Sequence, residues 1–155
     1  MLKSFPILLL CSLIFEAIPL RAEEPLISVN PGVKLGYEFG LQSGFIFGVE
    51  ISMVQITNRY RSEYWGIVVS ADHCHDLSKI HLGFEGGYGF VGVCVGPSFL
   101  SYKGTNDVGL TVTPYAGGIL IPYCSFTASP TLGLVGEVGS YVKIPLLVKG
   151  ELQWY

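Results

Sequence analysis

Residues 79–102 read KIHLGFEGGYGFVGVCVGPSFLSY. Ile80, Leu82 and Phe84 alternate with Lys79, His81, Gly83 and Glu85. After a glycine-rich break, Val91, Val93, Val95 and Phe99 alternate with Gly92, Cys94, Gly96 and Ser98. Successive side chains of a strand point to opposite faces. The stretch therefore predicts a hairpin of two strands, each with one apolar face and one small or polar face. A soluble sandwich gives the same alternation with its apolar face turned inward. The direction of that face decides the fold.

The same pattern extends along the chain. Strands are expected over Val33–Gly40, Phe45–Ile56, roughly Tyr60–Ala71, Leu110–Ala116, Ile119–Phe126, the alternating run Leu132–Gly139, and Leu146–Tyr155. Glu23–Asn30 reads as a short lead, with Pro31-Gly32 opening the first strand. Asp72–Ser78, Lys103–Asp107 and Thr127–Pro130 read as loops. Pro114 and Pro122 weaken their strands, because proline cannot donate to a ladder. With the two hairpin strands this makes nine candidates. Single-chain bacterial barrels have even strand numbers, so eight is the expectation. The surplus then lies in residues 108–126 or 140–155. No helical periodicity, second domain or linker shows in residues 23–155.

Composition points outward. Hydrophobic residues make up 50% of the chain and charged residues only 14%. A soluble domain carries about a quarter. Residues 1–22 read as a secretory signal: Lys3, an apolar run from Phe5 to Phe15, and Ala22 before Glu23. An uncleaved anchor is the rival, but the run is short for a bilayer and is followed by Glu16 and Pro19. A lipoprotein site at Cys11 fits less well, since Leu10 stands where a small residue belongs. Removing residues 1–22 takes Lys3, Arg21 and Glu16, leaving 7 basic residues of 9 and 11 acidic residues of 12, a formal charge of −4. That excludes the basic footprint of a nucleic-acid binder. Cys74, Cys94 and Cys124 remain, an odd set that allows at most one disulfide. Cys94 reads as a small buried filler.

Three observations turn the apolar faces toward lipid. The opposite faces carry glycines and the charges Lys34, Glu38, Glu50, Lys79, His81, Glu85, Glu137 and Lys143. An eight-stranded lumen is just wide enough for such side chains, and a paired Lys/Glu network would fill it. The apolar faces are large on nearly every strand, as a lipid-facing band requires. Aromatics cluster near strand ends: Tyr37, Phe39, Phe45, Tyr60, Tyr64, Trp65, Phe99, Tyr102, Trp154 and Tyr155. Such girdles suit a membrane interface. The expected fold is an all-β, up-and-down antiparallel transmembrane β-barrel. The competing reading is a soluble secreted β-barrel or sandwich binding a small apolar ligand.

The leader, NPGVKLGYEFG at Asn30–Gly40, GFEGGYGFVGVCVGPSF at Gly83–Phe99 and the aromatic C-terminus together resemble the small outer-membrane β-barrel proteins of Gram-negative bacteria, many of which have no assigned activity. The resemblance is one of pattern over most of residues 23–155. It implies residence in the outer membrane, contact with its lipid, and passage through the barrel-assembly machinery. One departure concerns the end. The usual insertion signal places apolar residues in register with the last aromatic. Here Lys149, Glu151 and Gln153 share the register of Tyr155, and Leu146, Val148, Leu152 and Trp154 are shifted by one.

Chemistry offers two further candidates. In Asp72-His73-Cys74-His75-Asp76, His73 and His75 would share a face if the run were extended, offering weak metal ligands with Cys74 between them. Standard zinc spacing is absent, so no metal or cofactor is expected. His81 and Glu85 share a face, and a nearby serine such as Ser98 would suggest a lipid-modifying barrel enzyme. No serine has a nucleophile's local context, so a structural or interaction role without catalysis is expected. The charged set then reads as a network that fixes strand register. If both chain ends face the periplasm, the turns near Gln42, Asp72–Ser78 and Lys103–Asp107 are external.

Overall fold

A computed structural model describes residues 26–58, 62–118 and 120–149. All regular structure in them is β. The strands are β1 (Leu26–Phe39), β2 (Gly44–Asn58), β3 (Glu63–Cys74), β4 (Leu77–Tyr88), β5 (Val91–Tyr102), β6 (Thr105–Ala116), β7 (Leu120–Ser129), β8 (Gly133–Lys143) and β9 (Leu146–Lys149). Each pairs antiparallel with its neighbour in sequence from β1 to β8, and β8 pairs back onto β1. The sheet is therefore a closed eight-stranded up-and-down barrel.

The ninth element is the end of the eighth strand. β8 pairs with β1 from Phe39↔Gly136 to Gly32↔Lys143, and β9 resumes on the same edge at Val29↔Leu146. The ladder is interrupted where Asn30-Pro31 faces Ile144-Pro145. Both prolines sit in this gap, where missing N–H groups cost least. The Ile144 N–H still reaches the Pro31 carbonyl at 3.0 Å. Pro31 thus lies inside β1, which starts at Leu26 rather than Val33. Pro114 and Pro122 lie in separate strands, β6 and β7, and both are exposed on the outside.

Several expected loops are shorter than they read. The polar run Asp72–Ser78 contributes only His75-Asp76 to a turn, and Lys103–Asp107 only Lys103-Gly104. Lys103 and Gly104 both have positive φ, 48° and 83°, as a two-residue type I′ hairpin needs. Ser129 is the last residue of β7, so that turn is also brief. Asp107 braces it: its carboxylate accepts from the Ser129 hydroxyl and from the Thr131 N–H at 2.7 Å. We call the rim holding these turns the far end. The start of β1 and the turn after Tyr88 mark the near end.

Side chains alternate strictly in and out, and the partition is inverted relative to a soluble barrel. Glu38, Glu137 and Ser98 are 1%, 2% and 0% exposed, whereas Phe45, Phe84 and Leu35 are 82%, 65% and 58% exposed. Ile80, Leu82, Phe84, Val91, Val93, Val95 and Phe99 all point outward, and Lys79, His81, Glu85, Cys94 and Ser98 point inward. Strands of 10 to 15 residues in β1 to β8 are long enough to cross a bilayer. Tyr37, Phe39 and Phe45 lie outside at the far end, with Tyr37 and Phe45 in edge-to-face contact at 5.7 Å. Trp65 and Tyr88 lie outside toward the near end. Two girdle candidates differ: Tyr64 and Tyr102 are half-buried on the inward side. Tyr60, Trp154 and Tyr155 lie outside the described residues, as does the expected leader. Leu146 and Val148 face outward, so the shifted apolar series occupies the outer face as far as it is described.

Glycines make room for tyrosines inside. Across β3, β4, β5 and β6, Tyr64 pairs with Gly87, Gly87 with Gly92, and Gly92 with Tyr115. The two rings lie over the two glycines and their hydroxyls meet at 3.1 Å. A β-carbon at Gly92 would stand 2.6 Å from Cζ of Tyr115. Gly92→Val is expected to push the rings apart and cost about 1–3 kcal/mol by overpacking. Thermal unfolding of the variant against wild type reads this directly.

Candidate functional site

The barrel interior holds the residues with chemistry, and it divides into a plug, two ionic clusters and a cup. At the far end Leu77, Leu100 and Val135 form a buried apolar cluster, with Leu41, Tyr102 and Leu132 packed on it. This plug closes that mouth. The Gln42 side-chain amide donates to the Cys74 carbonyl beside it.

Below the plug lies the first ionic cluster. Lys34 Nζ sits 2.7 Å from Asp72 Oδ2 and 2.8 Å from Glu137 Oε2. Lys79 pairs with Glu137 Oε1 and lies 3.5 Å from Asp72. Two cations and two carboxylates thus alternate in a closed ring drawn from β1, β3, β4 and β8. All four side chains are buried. Such burial is tolerable only because every charge meets an opposite one. Lys34 also stands 4.7 Å over the Tyr123 ring. Glu38 is different. It faces Glu137 across the β1–β8 pair, makes no direct ion pair among the described residues, and its Oε1 has no hydrogen bond.

A hydroxyl belt crosses the middle. His81 Nδ1 lies 3.0 Å from Ser98 Oγ, Ser98 lies 2.6 Å from Thr111, and Thr111 lies 2.7 Å from Thr127. Cys94 Sγ is 3.3 Å from the other ring nitrogen of His81. The belt links β4, β5, β6 and β7. The histidine–serine contact has the composition of a hydrolytic pair, but Ser98 is fully enclosed and the space beside His81 measures about 10 Å³. A single water needs roughly that much. The arrangement ties strands together and offers no room for a substrate.

The second ionic cluster lies toward the near end. Lys143 pairs with Glu50 and lies 3.6 Å from Glu85. The Tyr64 hydroxyl donates to Tyr115, and the Tyr115 hydroxyl donates to Glu85 Oε2 at 3.0 Å. Above these groups the barrel opens into a cup of about 730 Å³. Its walls include Leu26, Val54, Ile56, Phe90, Ile121 and Pro145.

Of the residues proposed from sequence, Lys34, Lys79 and Glu137 join one cluster, and Glu50 and Glu85 join the other with Lys143. His81 belongs to the hydroxyl belt, and Glu38 lies near the first cluster without a cation. Asp72 is a full member that sequence reasoning assigned to a loop. Its signal was present: it stands an even number of residues from Ser70 and Cys74, on the inward face. The weak metal candidates diverge. His73 is on the outer face and bonds Ser78 at 3.0 Å, Cys74 is buried inside, and His75 occupies a turn with φ of 46°. The sharp turn removes the shared face that an extended run would have given. Cys74, Cys94 and Cys124 are all free thiols. Searches of known protein families, curated proteins and solved structures match nothing to this chain.

Proposed function

We propose that the protein is an outer-membrane β-barrel with a structural or interaction role, its outer wall in lipid and its lumen blocked. One observation carries the reading: large apolar side chains are exposed on every strand from β1 to β8 while the charges are inside. A water-facing surface of this kind far exceeds the few hundred Å² of contiguous apolar patch found on ordinary soluble proteins. In lipid the same surface is the favourable one, and a closed barrel leaves no backbone group unpaired. The tight turns leave little protein beyond the far rim. Interaction through the wall or the near-end mouth therefore suits this barrel better than recognition through long loops. Lipid and, during assembly, the barrel-assembly machinery are the partners this reading names.

Two measurements test it. Membrane fractionation is expected to recover the chain only with detergent. Unheated samples on a detergent gel are expected to migrate differently from boiled ones, because a closed barrel resists unfolding there. Recovery in a soluble fraction without detergent sinks the reading.

A further inference from the structure

The near-end cup opens above the second ionic cluster, and its lining is specific in kind. We propose that it binds one small amphipathic molecule with a protonated amine head and an apolar body. The volume, about 730 Å³, falls within the range of small-molecule sites, roughly 300–1,000 Å³. The walls are mostly aliphatic or aromatic. The charged groups, Glu85 and Lys143, lie at the floor with the Tyr64–Tyr115 hydroxyl pair, and Asn30, Ser52 and Ser62 add uncharged polar groups to the walls, so a ligand enters head first.

The floor selects the head group. Tyr64 gives its proton to Tyr115, and Tyr115 gives its proton to Glu85. Both hydroxyl hydrogens point inward along this chain. Tyr64 is left presenting oxygen lone pairs, so the ligand must donate. Charge leads to the same answer. Among the described residues Glu50 and Glu85 share one cation, Lys143, two carboxylates to one ammonium. Glu85 is 4% exposed and its Oε1 has no hydrogen-bond partner. A buried carboxylate oxygen left unpaired costs free energy that an incoming cation recovers. A carboxylate or phosphate head would meet the Tyr64 lone pairs and the Glu85 carboxylate, while the Lys143 ammonium in the same lining is already paired with Glu50 and Glu85. The plug behind makes the cup blind: a ligand leaves by the mouth it entered, so the site retains rather than conducts.

The test uses the whole folded protein, isotopically labelled, in non-ionic micelles. Octylammonium, octanol and octanoate are titrated separately and amide shifts are followed. Octylammonium is expected to saturate a site marked by Tyr64, Phe90 and Tyr115. Octanol is expected to bind about tenfold more weakly, a difference of about 1.4 kcal/mol, and octanoate to give no saturable shift there. Tyr64→Phe removes the accepting oxygen at the floor and is expected to weaken the amine about tenfold. Val54→Trp fills the cup and is expected to abolish saturation while the barrel stays folded. Equal binding of octanoate, or shifts confined to outward residues and unchanged in Val54→Trp, overturns the proposal. The reading concerns the inside of the barrel, so its outcome is independent of whether the outer wall meets lipid.

Discussion

Glu137→Gln is expected to destabilise the barrel by about 3–5 kcal/mol, the cost of stripping one partner from a buried ion pair. Glu137 is the carboxylate that both Lys34 and Lys79 use. Glutamine keeps the volume and removes the charge, so the loss measures electrostatics and not packing. Two ammonium groups would then share Asp72 alone. Glu38→Gln is the matched control. Glu38 is equally buried and opposes Glu137 directly across the β1–β8 pair, yet among the described residues no lysine pairs with it directly. Like charges directly opposite destabilise a strand pair. Neutralising Glu38 is therefore expected to leave stability unchanged or raise it. Urea unfolding of both variants, followed by tryptophan fluorescence, checks the contrast. Equal losses would mean that burial, and not pairing, decides the effect.

Leu82→Arg is the second large effect. Leu82 is outward and 50% exposed near the middle of β4. In a bilayer, arginine at that depth costs about 2–4 kcal/mol. On a protein in water an exposed substitution of this kind stays within roughly ±0.5 kcal/mol. The two readings of the outer wall thus predict different numbers for one variant. Folding into lipid vesicles is expected to show the larger loss. Arginine introduced at Asn106, exposed beside the turn at the far rim, is expected to show almost none, because the rim is wet in either case.

The faces of the central hairpin were legible because nothing interrupts them: every second residue from Ile80 to Phe84 and from Val91 to Val95 is apolar. Legibility failed where the outer face stopped being apolar. His73 points outward from β3 and takes its hydrogen bond from, or gives it to, Ser78, so the alternation around Asp72 disappears into a run of polar letters. It failed again at the near-end mouth. There Leu26 and Ile121 point inward to line the cup, reversing the sense of the pattern. Tyr64 looked like a girdle residue because it sits at a strand end. Only the pairing of four strands reveals that Gly87 and Gly92 vacate the space its ring fills. The charged residues were visible as a class. Which lysine meets which carboxylate depends on barrel tilt, a quantity that one-dimensional spacing does not contain.

The seam between β1 and β8 also imposes an order in time. Every other strand pair joins neighbours in sequence, so hairpins can zip one after another. The seam alone must bring together residues such as Lys34 and Glu137, separated by 103 positions. Closing so long a loop adds little entropy cost per added residue, but contacts of this separation slow folding. The first ionic ring cannot complete until that closure, because Glu137 comes from β8. Its lysines should therefore shed their water in the last and slowest step. A substitution there would act on the rate of closure as well as on the finished barrel.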